Sequence, residues 1–158
     1  MTPESAKQLQ KLGHECLIET GAGLAAGFND DTYRDAGVTV AESAAALWRD
    51  AEVVIKVREP SDEEAERLRE GQTLIAFFWP AQNEALLEKC KAQGATVIAM
   101  DMVPRISRAQ KMDALSSQAN LAGYVTVVLA ATHCPKIFPM MMTPAGTIAP
   151  SRVFVICA

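Results

Sequence analysis

The sequence contains little that would place the chain in a membrane or direct it across one. A membrane-spanning helix needs about 20 mostly apolar residues, whereas the most apolar stretch, residues 121–131, is shorter and includes Tyr124, Thr126 and a glycine. The first 13 residues also lack the apolar segment of a secretory signal peptide. We therefore predict a soluble chain with no direct membrane span.

Cysteine is scarce, and the cysteines are scattered. Cys16, Cys90, Cys134 and Cys157 form no CxxC pair and have no pair of histidines beside them. This spacing excludes the usual zinc and dithiol redox motifs. Single thiols of this kind suit a reducing cytoplasm, where most of them act as small buried apolar groups. We expect no metal site.

Positive charge is not in excess either. The 158 residues include 15 Lys and Arg against 19 Asp and Glu, which gives a net charge of -4. Proteins that bind nucleic acid or anionic lipid usually carry a basic surface, so the sequence gives no reason to expect a nucleic-acid partner. Hydrophobic residues make up 49% of the chain, which is typical of a folded domain and not of a disordered segment.

Strand-like and helix-like segments alternate along the chain. Three apolar runs, residues 53–57, 73–78 and 96–100, are separated by segments of helix length. This alternation predicts βαβ units and a parallel sheet, and hence an α/β fold of the Rossmann-like (flavodoxin-like) type. The glycine-containing segment 21–27 lacks the GxGxxG spacing of a dinucleotide loop and indicates a turn.

Both ends of the sequence are unusual for a complete domain of this class. The chain opens on a helix, and its last apolar run, residues 153–157, is of the kind that a glycine-rich phosphate turn follows in doubly wound nucleotide-binding domains. We therefore predict three regions. These are an N-terminal α/β subdomain (1–112), a connecting helix (113–134), and a linker with the first strand of a truncated second Rossmann domain (135–158).

The polar segment 103–117 follows a predicted parallel strand and leads into a long helix. It would lie at the carboxyl edge of the sheet, where open α/β folds bind ligands, and beside the free N–H groups of a helix N-terminus. Its guanidinium, amide, carboxylate and hydroxyl groups suit a ribose, a carboxamide or a pyrophosphate. The alternative is helix capping, by Ser107 with Gln110 and by Asp113 with Ser116. Spacing alone favours capping without excluding a ligand site.

Several segments of the chain resemble a known family, in the same order. The segment VPRISRAQKMDALSSQANLAGY closely resembles the alpha subunit of proton-translocating nicotinamide nucleotide transhydrogenase. The segments TPESAKQLQKLGHECLIETGAGLAAGF, VVIKVREP, FFWPAQN and AGTIAPSRVFVI are similar to the same family, so the resemblance covers essentially the whole chain. Alanine dehydrogenase, a related family, shares the fold and several of these segments.

The resemblance implies an NAD(H)-binding domain. In the transhydrogenase family this domain passes hydride to NADP(H) on a partner domain, and a membrane domain couples the transfer to proton translocation. By analogy, this chain would lie in the cytoplasm, peripheral to the inner membrane through its partner subunits, and would form a homodimer. No side chain would perform acid/base catalysis, because the cofactor supplies the hydride.

The same resemblance implies which residues bind the cofactor. Asp113 and Ser116 would hold the nicotinamide carboxamide, Arg105 would fix its orientation, and Gln110 would lie near the ribose. The predicted cofactor-binding residues are Arg105, Ile106, Ser107, Gln110, Asp113 and Ser116. The sequence departs from the family where Cys157 occupies the position of the first glycine of the phosphate turn. Without that turn, we expect the isolated chain to bind NAD weakly or undetectably.

Lys56 matches a lysine that contacts the substrate carboxylate in alanine dehydrogenase. That family also has a histidine at the end of the next strand, where this chain has the sequence FFWP. Without an acid/base imidazole we do not expect alanine oxidation, and we interpret Lys56 as a strand-end lysine whose ammonium reaches water. Two alternatives stay open, an alanine dehydrogenase-like fragment and a non-catalytic truncated product that associates with a full-length subunit.

Overall fold

The computed structural model describes residues 1–156, which fold as two compact units, Met1–Pro104 and the residues from Arg105 onward. The helices are α1 (Pro3–Lys11), α2 (Asp30–Asp35), α3 (Ala44–Asp50), α4 (Asp62–Glu66), α5 (Glu84–Ala92) and α6 (Ala114–His133). The strands are β1 (Leu17–Glu19), β2 (Thr39–Ala41), β3 (Val53–Ile55), β4 (Thr73–Ala76), β5 (Thr96–Ala99), β6 (Met141–Thr143) and β7 (Gly146–Ile148). Short 3₁₀ turns occupy Leu24–Ala26, Met100–Met102 and Ser107–Ala109.

The first unit contains two parallel sheets. Strand β1 pairs with β2, and β3, β4 and β5 form a three-stranded sheet in that order. In this sheet Val54 lies opposite Leu74, and Leu74 lies opposite Val97. Five parallel strands alternating with helices confirm the predicted α/β, Rossmann-like fold.

Two helices of this unit begin at polar residues that are typical of helix N-caps. Thr2 caps α1, accepting the N–H of Ser5, and Pro3 occupies the first helical position, where it needs no hydrogen-bond partner. Ser61 and Glu64 form a capping box at α4. Local polar residues therefore fix where these short helices begin.

The larger hydrophobic core packs around the three-stranded sheet. Trp48 from α3, Val54 from β3, Leu74 from β4 and Cys90 from α5 are all buried in it, together with Phe78 from the segment after β4. Burial raises the pKa of the Cys90 thiol, which makes this group a poor nucleophile at neutral pH. Cys16 is also buried, Cys134 is half-buried, and Cys157 lies outside the described residues.

A buried glutamine joins α3 to the start of β4. Gln72 is 3% exposed, and its Nε2 donates to the carbonyl oxygens of Trp48 (2.9 Å) and Ala51 (2.7 Å). Its Oε1 accepts the backbone N–H of Arg69 at 3.1 Å. One side chain thus satisfies three backbone groups that would otherwise lose hydrogen bonds inside the fold.

The second unit contains the long helix α6 and an antiparallel hairpin of β6 and β7. The sequence pattern predicts only a connector in the hairpin region, so the hairpin was missed. The strand expected over 153–157 is not confirmed. Residues 153–156 have no regular secondary structure and exposed side chains, and Cys157 lies outside the described residues. A strand needs a neighbouring strand for its backbone hydrogen bonds, and residues 153–156 pair with none in the described part of the chain.

Helix α6 extends well beyond the apolar stretch that the sequence shows. It has 20 residues, of which an 18-residue window has a mean hydropathy of 1.2, and by length and composition alone it could cross a membrane. Among the described residues no other helix meets this criterion. None of its residues is buried within the described part of the chain, and a single helix that meets a criterion of length and composition does not assign α6 to a membrane.

Candidate functional site

The carboxyl edge of the three-stranded sheet holds a strained turn. Trp79, just after β4, has φ 51°, in the left-handed region that favours glycine. The carboxylate of Asp101 accepts the backbone N–H groups of Phe78 (2.6 Å) and Trp79 (3.1 Å), and the side-chain amide of Asn83 donates to the Phe78 carbonyl at 2.8 Å. These contacts fix the backbone of the turn, and 43% of Trp79 stays exposed.

Lys56, at the same edge, is paired inside the chain. Its Nζ lies 2.5 Å from Oε2 of Glu64, and both side chains are about one quarter exposed. The same oxygen accepts the backbone N–H of Ser61 at 2.7 Å. Burial alone would raise the pKa of Glu64, but the hydrogen bonds from Lys56 and Ser61 outweigh it, so the pKa is lowered. The interpretation of Lys56 as a lysine that simply reaches water is therefore wrong, because the capping glutamate of α4 lies within its reach.

The polar segment before α6 does not form the first of the two expected caps. Residues Ser107–Ala109 form a single 3₁₀ turn whose preceding residue is Ile106, with no side-chain cap. Ser107 and Gln110 therefore make no capping box. The long helix begins only at Ala114, so the residue placed to cap it is Asp113.

Asp113 caps α6 together with Ser116, as the sequence predicted for the second of the two caps. Its Oδ1 accepts the backbone N–H of Ser116 at 3.0 Å, and its Oδ2 accepts the Ser116 hydroxyl at 2.5 Å. These two hydrogen bonds, the hydroxyl's first, lower the pKa of Asp113, and the positive charge of Arg105 lowers it further. Asp113 is only 7% exposed, so a carboxylate that is charged at neutral pH is held in one orientation.

Around this cap lies a recess of about 350 Å³ within the second unit. Its lining is polar and consists of Arg105, Gln110, Asp113, Ser116, Ser117 and Asn120. Four of the six predicted cofactor-binding residues thus come together. The other two, Ile106 and Ser107, are not part of the lining, and Ile106 is 54% exposed.

The lining residues divide into those that are already bonded and those that are available. Asp113 and Ser116 bond each other, and the Ser117 hydroxyl donates to the Asp113 carbonyl at 3.3 Å. The side chains of Arg105, Gln110 and Asn120 make no hydrogen bond or ion pair with the residues that the structure describes. The recess therefore offers a guanidinium, two amides and the unused lone pairs of one fixed carboxylate, which together suit a small polar group with both donors and acceptors.

Asn120 and Ser117 were absent from the sequence-predicted site. Positions 113, 116, 117 and 120 follow the i, i+3, i+4, i+7 spacing of one helix face. Applied to polar residues from the N-cap onward, this spacing would have identified both. In residues 1–156, no group of three His, Cys, Asp or Glu side chains is placed to hold a metal ion.

Comparison with known proteins gives a consistent result. The model of the family described as alanine dehydrogenase/PNT, N-terminal domain, matches residues 1–122. The NAD(P) transhydrogenase subunit alpha of Cereibacter sphaeroides is 63% identical over 158 residues, which are 100% of this chain and 30% of that protein. The same subunit from Haemophilus influenzae is 42% identical over 157 residues, which are 99% of this chain and 30% of that protein.

Solved structures agree with the sequence comparison. The crystal structure of transhydrogenase from Sinorhizobium meliloti matches with a TM-score of 0.86 and 44% identity, over 94% of this chain and 44% of that one. An L-alanine dehydrogenase matches with a TM-score of 0.64 and 35% identity, over 69% of this chain and 30% of that one. The chain thus spans less than half the length of these relatives. It belongs to the family of the alanine dehydrogenase/PNT N-terminal domain, and within that family it resembles the transhydrogenase alpha subunit over its whole length.

Proposed function

We propose that this chain is a portion of the NAD(H)-binding domain of an NAD(P) transhydrogenase alpha subunit, and that the recess in its second unit receives the nicotinamide end of the cofactor. The observation that carries the proposal is the convergence of Arg105, Gln110, Asp113 and Ser116 on one recess. The 63% identity to a transhydrogenase alpha subunit supports it.

The donor and acceptor set of the recess fits a nicotinamide carboxamide. The carboxylate of Asp113 is fixed by Ser116, and each of its oxygens retains a lone pair that can accept an amide N–H. Arg105 can donate to the carboxamide oxygen, and Gln110 can pair with a ribose hydroxyl. When bound, the nicotinamide supplies the hydride chemistry, and these side chains hold the ring in one orientation.

The rest of the proposed activity depends on partners. The names of the relatives describe an alpha subunit, which implies other subunits. We propose that NADP(H) is bound on a partner domain, that a membrane domain couples hydride transfer to proton translocation, and that the alpha portion forms a homodimer on the cytoplasmic side. The predicted weak binding of NAD by the isolated chain, and its inactivity alone, belong to the same proposal.

A titration of the isolated chain with NADH, followed by saturation-transfer NMR, tests the site. We expect weak saturation of the nicotinamide protons that is lost in Arg105→Ala and Asp113→Ala. Arg105→Ala removes a ligand donor and breaks no hydrogen bond of the helix cap, so it separates binding from folding. The control is Asp35→Ala, which removes an exposed carboxylate from the end of α2. Equal saturation in all four proteins would refute the proposed site.

An alanine dehydrogenase-like activity is the second candidate, favoured by the match to a solved L-alanine dehydrogenase. Two observations weigh against it. Lys56 is already paired with Glu64, whose negative charge would compete with a substrate carboxylate, and Trp79 follows β4 where an acid/base imidazole would be needed. Formation of NADH from alanine and NAD by this chain would support the second candidate, and we expect none.

A non-catalytic role, in which the chain only associates with a full-length subunit, is favoured by one observation. Val153, Phe154, Val155 and Ile156 are consecutive and between 67% and 88% exposed. Such a run tends to associate with other apolar surface. Size-exclusion chromatography of the chain with and without a full-length alpha subunit tests this role, and a monomer that does not bind the subunit would count against it.

A further inference from the structure

The recess extends beyond the residues assigned to the nicotinamide. Asn120 lies on the face of α6 that carries Asp113 and Ser116, one turn of helix beyond Ser116. At a rise of about 1.5 Å per residue, Asn120 is about 10 Å along the helix axis from Asp113. Both side chains line the same recess, so a ligand that is held at Asp113 can reach Asn120 within it.

We propose that Asn120 is a positioning residue that binds the ribose attached to the nicotinamide ring. This inference rests on the proposed function, because it assumes that Asp113 and Ser116 hold the carboxamide. A primary amide both donates and accepts, so it can pair with a ribose hydroxyl in either sense. Arg105 and Gln110 share the lining but lie before the helix, so Asn120 is the available side chain on its second turn.

The neighbouring polar residues of α6 do not fill this role. The hydroxyl of Ser117 donates to the carbonyl of Asp113, so its donor is already used within the cap. Gln118 is exposed but does not line the recess, because it is two residues from Ser116 and Asn120 and points to another side of the helix. Asn120 thus has a side-chain amide that makes no hydrogen bond with the described residues, and it lies on the face of α6 that lines the recess.

Two small pyridinium probes isolate the ribose contribution. 1-Methylnicotinamide and nicotinamide riboside carry the same charged ring and carboxamide, but only the second has a ribose. Titration of the ¹⁵N-labelled chain with each, followed by amide chemical shifts, gives two dissociation constants. Their ratio measures what the ribose adds to binding.

For the wild-type chain we expect the riboside to bind about fivefold more tightly, as one net hydrogen bond would give. In Asn120→Ala the ratio should fall below the wild-type value, with any remainder coming from Gln110, while the affinity for 1-methylnicotinamide stays unchanged. Gln118→Ala is the matched control, because it removes an exposed amide from the same helix, and it should keep the wild-type ratio. A purely structural role of Asn120 would change both affinities together.

The outcomes separate this inference from the function on which it rests. A wild-type ratio near one, a wild-type ratio retained in Asn120→Ala, or a parallel loss of both affinities would overturn the role of Asn120 and leave the carboxamide site in place. Failure of the wild-type chain to bind either probe would overturn the proposed recess and the role of Asn120 with it. Asn120 is exposed on a helix, and alanine favours helix, so the variant is expected to fold.

Discussion

Replacing Gln72 by alanine tests how the first unit is held together. The change removes three hydrogen bonds, to the carbonyls of Trp48 and Ala51 and from the N–H of Arg69. A buried hydrogen bond contributes about 1 kcal/mol net, so losing three costs about 3 kcal/mol. The Ala51 carbonyl still accepts the Arg69 guanidinium at 2.8 Å, which brings the expected loss to about 2–3 kcal/mol.

Urea denaturation followed by far-ultraviolet circular dichroism measures this loss. We expect the midpoint to fall while the slope of the transition stays the same, because the exposed surface hardly changes. Gln82→Ala is the control, since Gln82 is an exposed glutamine in the segment after Trp79, and it should change the free energy of unfolding by less than about 0.5 kcal/mol. A Gln72→Ala variant as stable as this control would refute the assignment of the three hydrogen bonds as stabilising.

Three further predictions concern the carboxyl edge of the sheet and its core. Because the folded chain lowers the pKa of Glu64 below 4.5, the stabilisation from this group is complete above that pH and is lost as the pH falls through the lowered value. Glu64→Gln should therefore reduce the acid dependence of stability in urea titrations below pH 4.5, and an unchanged dependence would contradict the pairing with Lys56. Asp101→Ala should release the turn at Trp79 and increase acrylamide quenching of tryptophan fluorescence, and Asp101→Asn should do so less; equal quenching in all three proteins would count against the clamp. Phe78→Ala should destabilise the chain by about 3–5 kcal/mol in the same urea assay, because it leaves a cavity where a fully buried ring lay. A loss under about 1 kcal/mol would show that neighbouring side chains move to fill this cavity.

The parallel strands of the first unit could be predicted from the types of side chain that they contain. Runs such as VVI in β3 and TLIA in β4 are β-branched and apolar, and glycines or capping residues bound the helices between them. The hairpin of β6 and β7 could not be found in this way. Its strands are three residues long and contain methionine and glycine, which carry no strand preference.

Part of the candidate site could also be predicted from the sequence. Asp113 and Ser116 are three residues apart, so any helix beginning at position 114 brings them together. The sequence could not show that the helix starts there and not at position 108, because a Ser and Gln at capping-box spacing also precede it. The clamp of Asp101 on Trp79 links residues 22 positions apart on two different strand ends, and no local pattern predicts such a contact.

The backbone conformation of Trp79 affects which substitutions the chain can accept. An L-residue in the left-handed region costs about 1–2 kcal/mol relative to glycine, and here the carboxylate of Asp101 and the amide of Asn83 offset that cost. In a directed-evolution experiment that rewards heat resistance alone, position 79 should drift to glycine or asparagine. Substitutions at positions 101 and 83 would become tolerated only after that drift.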